Sequence, residues 1–180
     1  MISGMATYIA LLRGINVGKN KRIAMSGLRE LLTDLGYADV RTLLQSGNAV
    51  FTSTRRSGDA VAAEIEQAIT ADLGMDVPVV VRTAKELTSA VQANPLAADD
   101  RDPSRLLVLF LSSAPRNAAV PTPADMGSEE WHVGEREVYL WCPDGVLKSA
   151  LAPLFTDRQL GVVVTARNWR TVCKLAEMVR

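Results

Sequence analysis

Two kinds of hydrophobic spacing alternate along this chain, and their order leaves few folds open. Residues 7–13 form an apolar strand-like run ending at Gly14, after which Met25, Leu28, Leu31, Leu32 and Leu35 recur at helical spacing up to Gly36. Segments 40–45 and 49–53 read as two strands joined at Ser46-Gly47-Asn48, a tight-turn composition. Val61, Ile65, Ile69 and Leu73 step along one face of a second helix closed by Gly74. Residues 77–82 make a β-branched strand, and Pro78 places it at a sheet edge or marks its first residue. Thr83 and Glu86 fit a capping box for a third helix running to about residue 93.

The order is β-α-β-β-α-β plus a helix, the ferredoxin-like motif. After a loop at 94–103 a weaker copy follows: a strand at 105–111, a Pro-rich stretch at 121–127 in place of the first helix, and a hairpin of 130–133 with 137–142 around Gly134. A helix at 146–154, a strand at 162–165 and a last helix over 169–179, capped by Asn168, complete it. Val79-Val80-Val81 before one capped helix matches Val162-Val163-Val164 before another. The expected fold class is α+β: two ferredoxin-like units from an internal duplication, at 5–94 and 104–180. Each is expected to be an antiparallel sheet of spatial order 4-1-3-2 with its helices on one face.

Charge narrows the function. Twenty Lys and Arg balance twenty Asp and Glu in 180 residues, so the basic excess of a general nucleic-acid coat is missing. The balance is uneven along the chain, because Arg13, Lys19, Lys21, Arg22 and Arg29 all precede the first acid, Glu30. Two separated cysteines, Cys142 and Cys173, and one histidine, His132, do not make a structural zinc site. The sequence shows no signal peptide and no apolar run long enough to span a bilayer, so a cytoplasmic protein with no membrane partner is expected.

Topology then places these charges. In such a sheet the first and third strands are antiparallel neighbours, so the loop after the first lies beside the turn before the third. This brings Arg13, Asn16, Gly18, Lys19 and Lys21 next to Gln45, Ser46 and Asn48. Glycines let backbone N–H groups turn inward around an anion while Arg and Lys supply charge. Taken singly, the two segments also read as an ordinary soluble loop and a hairpin turn. Gly14 to Lys19 is not a Walker A loop, since three residues separate its glycines and Asn20 follows the lysine. No dinucleotide fingerprint is present either, and no cofactor is expected.

A second candidate is Arg167-Asn168, at a strand end entering a helix, where a helix N-terminus favours anions. Its plain reading is an N-cap with Trp169 packed as core. Glu129, Glu130 and His132 cluster without a placed nucleophile and read as a solvated strand end. Tyr139 and Trp141 share a sheet face with Phe110 nearby, as on an RNA-stacking platform, but the surroundings are not basic and core packing explains them better.

Several of these segments together resemble a known family, the mainly bacterial group catalogued as domain of unknown function 1697. The residues that carry the resemblance are Ala10-Leu11-Leu12-Arg13-Gly14-Ile15-Asn16-Val17-Gly18, Met25 with Leu28-Arg29, Leu35-Gly36, Gln45-Ser46-Gly47-Asn48 and Thr165-Ala166-Arg167-Asn168-Trp169. Lys19 stands where members often have a further glycine, and Leu43-Leu44 where a Tyr-Ile pair is common. The resemblance implies a two-unit α+β fold related to the ferredoxin topology, and it implies no reaction, substrate or cofactor.

The leading expectation is a site for a small anionic or phosphorylated ligand, nucleotides included, with Arg167 and Asn168 contributing if the units allow. The alternatives are nucleic-acid binding through the same basic edge and a non-catalytic interaction module pairing through open sheet edges. Nothing in the sequence assigns a reaction, and nothing sets the oligomeric state.

Overall fold

The computed structural model describes residues 4–55, 57–116 and 126–180. They build a mixed α+β chain with two four-stranded antiparallel sheets, and divide into two compact units, Met1–Ser89 with Leu175–Arg180, and Ala90–Lys174. Most of the expected Pro-rich stretch at 121–127 lies outside the described residues.

In the first unit the elements run β1 (Ala6–Leu12), α1 (Met25–Asp34), β2 (Ala38–Leu43), β3 (Asn48–Ser53), α2 (Gly58–Leu73), β4 (Val79–Thr83) and most of α3 (Ala84–Gln92). The sheet order is β2-β3-β1-β4. Alternation along the strands sends Tyr8, Ala10, Leu12, Ala49, Phe51, Val79 and Val81 to one face. Leu28, Leu31 and Leu32 of α1 and Val61, Ile65 and Ile69 of α2 pack there, as their helical spacing requires. The strand residues of opposite parity, Ile9, Leu11, Val50 and Val80, are buried as well. Pro78 stands just before β4, an edge strand, where its missing N–H leaves no ladder bond unmade.

Caps end the helices where the sequence signals them. Ser57 Oγ accepts from the Ala60 N–H at the start of α2, and Gly74, at φ 64°, closes it. Thr83 and Glu86 form the capping box of α3: the Thr83 N–H donates to Glu86 Oε2 at 2.7 Å and the Glu86 N–H to Thr83 Oγ1 at 3.2 Å.

The second unit contains β5 (Leu106–Leu111), β6 (Glu130–Val133), β7 (Glu137–Trp141), a short α4 (Asp157–Leu160), β8 (Val164–Asn168) and the start of α5 (Trp169–Met178), with sheet order β6-β7-β5-β8. Two sequence expectations change here. The helix expected over 146–154 is instead two single 3-10 turns, Val146–Lys148 and Ala152–Leu154. Ser149 Oγ accepts from the N–H groups of Leu151 and Ala152, Glu129 Oε2 also takes the Leu151 N–H, and Pro153 has none to give, so no helical ladder can propagate. The last strand also runs later than 162–165, because pairing with β5 continues from Leu111↔Val164 to Leu107↔Asn168.

Candidate functional site

The β1–α1 loop and the β2–β3 turn meet, as the topology requires. Asn16 makes the junction. Its Nδ2 donates to the carbonyls of Ile23 at 2.8 Å and Gln45 at 2.7 Å, and its Oδ1 accepts from the Ile23 N–H at 3.0 Å. Its own N–H donates to the Lys21 carbonyl at 3.0 Å, closing the loop on itself. Asn16 and Lys21 both sit at positive φ, 55° and 51°, a region asparagine tolerates better than most side chains. The ends of the loop are pinned too: the Leu12 N–H donates to the Gly47 carbonyl and the Arg13 N–H to the Pro78 carbonyl, both at 2.9 Å.

Gly47 permits this approach. A Cβ there would lie 2.7 Å from Ile15 Cδ1 and 2.9 Å from Leu12 Cβ, and its φ is 88°. Beside it Asn48 is fully buried, donating through Nδ2 to the Leu43 carbonyl at 2.8 Å and to Ser46 Oγ at 3.1 Å.

The expected site residues therefore divide. The side chains of Asn16, Asn48 and Lys21 bond the protein's own groups, Lys21 Nζ donating to the Asp76 carbonyl at 2.5 Å. They shape the loop and the turn. Gly18, Lys19, Gln45 and Ser46 are exposed, and Arg13 is half-buried. Among the described residues Lys19 and Arg22 take part in no hydrogen bond or ion pair. The N–H groups of Val17, Gly18 and Lys19 have no acceptor among the described residues. Gly14, Asn16 and Gly18 have φ of 71°, 55° and 65°, alternating with residues of negative φ, and the space beside both glycines is open.

Arg167 and Asn168 lie in the second unit. Arg167 is buried, its Nη1 donates to the Ala166 carbonyl at 2.8 Å, and burial pushes its guanidinium down to about 10, still charged at neutral pH. Asn168 caps α5, accepting from the Thr171 N–H at 2.9 Å. At the end of β5, Ser112 is occupied: its Oγ accepts from the Val163 N–H and its carbonyl from Arg136.

The remaining polar clusters are committed to structure. Glu130 pairs with Arg101 at 2.6 Å, Glu129 holds the Leu151 N–H, and Tyr139 donates to the Ala90 carbonyl at 2.7 Å. Arg101 lies 4.8 Å over the Trp141 ring. Among the described residues no group of three or more His, Cys, Asp or Glu is placed to hold a metal, and no helix is long and apolar enough to cross a membrane. The site residues expected from sequence did not include Val17 and Arg22, which lie in the loop, or Leu44, which lies in the turn. Arg22 belongs to the same acid-free run and was legible by charge, whereas the exposure of Val17 and Leu44 was not.

Comparison with known proteins agrees with the motif resemblance. The chain belongs to the family described as "Protein of unknown function (DUF1697)", whose model matches residues 5–139. Among solved structures it is similar to the conserved bacterial protein SP0830 from Streptococcus pneumoniae, with 23% identity and a TM-score of 0.75 over 98% of this chain and 100% of that one. At that identity the likeness shows the fold alone. No curated protein matches the chain.

Proposed function

We propose that this member of the DUF1697 family binds a small anionic ligand, with phosphorylated metabolites and nucleotides as the leading class, at the loop between β1 and α1. One observation carries the reading: the negative-then-positive φ pair at Val17 and Gly18, with the N–H groups of Val17, Gly18 and Lys19 left without acceptors. In its αR-αL form such a pair turns successive N–H groups toward one concave side, an arrangement that suits a phosphate or carboxylate oxygen. Lys19 and Arg22 add exposed charge, and Asn16 holds the loop in shape before any ligand arrives. Each hydrogen bond to a charged group contributes about 1.5–3 kcal/mol, so three amides and one lysine suffice for measurable affinity.

The test is thermal stability in the presence of inorganic phosphate, nucleotides and phosphorylated metabolites. A saturable rise in Tm that Lys19→Glu removes is the expected result. No stabilisation across the whole set would end the reading.

The finer architecture belongs to the same proposal: two ferredoxin-like units descended from one duplication. Matching sheet orders support it, as does a matched pair of buried arginines. Arg82 and Arg167 are each the penultimate residue of the strand entering a helix, and each donates through Nη1 to the carbonyl of the residue before it. Thr83 and Asn168, next in line, each cap the helix that follows.

A further inference from the structure

We infer that the ligand of the β1–α1 loop carries an apolar portion next to its anionic group, and that Val17 and Leu44 receive it. This rests on the proposed anion site and adds the ligand's second half. Val17 is 72% exposed and Leu44 52%, so both leave large apolar surface in water. They flank one hydrogen bond: Val17 follows Asn16 and Leu44 precedes Gln45, whose carbonyl accepts from Asn16 Nδ2 at 2.7 Å. The two side chains thus arise from adjoining points of the loop and the turn, and Val17 itself belongs to the amide trio.

Leu44 is the more telling residue. It sits in the turn at φ 60°, where Gly, Asn or Asp normally stands. A leucine there accepts backbone strain and solvent exposure together, and retained strain beside a binding loop points to a contact made by that side chain. The neighbours set the chemistry: an amide trio and the cations Lys19 and Arg22 for the anion, two aliphatic side chains for what is attached to it. A phosphate ester of an apolar alcohol satisfies both requirements, whether free in solution or presented as a lipid headgroup.

The experiment compares inorganic phosphate with methyl, butyl and hexyl phosphate at fixed ionic strength, by calorimetry or by amide shifts. Affinity is expected to rise with chain length by roughly three- to fourfold for each methylene that the apolar pair covers. In the Leu44→Asn variant, whose asparagine keeps the left-handed turn, the gain with length falls while inorganic phosphate binds as in the parent. A series that is flat in the parent protein, with inorganic phosphate still bound, overturns this inference and leaves the anion site standing. No binding of any member, inorganic phosphate included, overturns the anion site as well. Sedimentation with phosphatidylcholine vesicles, with and without phosphatidylglycerol, separates the sources. Retention on the anionic vesicles that the Leu44→Asn variant loses assigns a lipid headgroup, and binding of the soluble esters alone assigns a free metabolite.

Discussion

The Asn16 carboxamide and the Gln45 carbonyl lie 2.7 Å apart, and this hydrogen bond ties the loop after the first strand to the turn before the third. The same side chain also holds both backbone polar groups of Ile23, so one residue sets the shape of a long surface loop. Asn16→Ala removes three hydrogen bonds and places alanine at φ 55°. The expected loss is about 4–5 kcal/mol, from roughly 1 kcal/mol for each of the three bonds and 1–2 kcal/mol for the left-handed backbone. Asn16→Gly keeps the backbone relaxed and should lose less. Urea unfolding of the pair checks the order, and equal stability of alanine variant and parent would contradict it.

Gly47 and Gly18 share a positive φ but differ in their surroundings. Nothing lies within 4 Å of a Cβ built at Gly18, whereas one at Gly47 meets Ile15 and Leu12 below 3.0 Å. Gly18→Ala should cost about 1–2 kcal/mol of backbone strain alone. Gly47→Ala should cost about 1–3 kcal/mol more through overpacking. Thermal melts of both variants decide it, and an equal fall in Tm would show that the close approach at Gly47 carries no weight.

Tyr37, Arg55 and Glu64 form a pH-sensitive cluster in the first unit. The Tyr37 hydroxyl donates to Glu64 Oε2, Arg55 Nη2 donates to Glu64 Oε1 at 2.8 Å, and the guanidinium sits 5.7 Å over the Tyr37 ring. Burial pushes Glu64 up, but the bonds from Tyr37 and Arg55 together outweigh it and hold the carboxyl below the usual range. Burial, followed by the bond to Glu64, pushes the Tyr37 hydroxyl up. The Glu64 contribution is therefore present above its unfolded value of about 4.3 and lost as pH falls through its lowered folded value. The Tyr37 contribution is full below about pH 10 and lost as pH rises beyond it. Urea midpoints against pH should show an acid limb that Glu64→Gln flattens and an alkaline limb that Tyr37→Phe flattens. Curves parallel to the parent's would refute the assignment.

Asn168 ends β8 and caps α5 at once. Asn168→Ala should cost about 1 kcal/mol, and Asn168→Ser should restore most of it because serine caps as well. Chemical denaturation of the two variants is the check. A serine variant no better than alanine would mean that the cap is not what the residue supplies.

The first unit was legible because each of its elements announces itself twice, by spacing and by punctuation. Leu28, Leu31 and Leu32 mark the buried face of α1, Gly74 closes α2, and Thr83 with Glu86 opens α3. The meeting of loop and turn followed from topology alone. Side-chain direction did not: Asn16, Lys21 and Asn48 look like ligand donors in a sequence, and hydrogen bonds to nearby carbonyls turn them inward. Nor does a sequence display φ, and leucine gives no hint that position 44 is left-handed. In the second unit the pattern weakened where Ser149 and Glu129 intercept the amides that a helix over 146–154 would need. Asn168 hid the end of β8 because a helix cap is not usually read as a strand residue.

The amides of Val17, Gly18 and Lys19 are the proposed receptor for the anion. Titrating the 15N-labelled protein with inorganic phosphate at low ionic strength, with chloride at matched ionic strength as control, tests it directly. The expected result is a saturable shift of those three amide signals, shared by no distant surface loop and abolished by Lys19→Glu. Shifts that stay linear and unsaturated, or that appear equally with chloride, would contradict it.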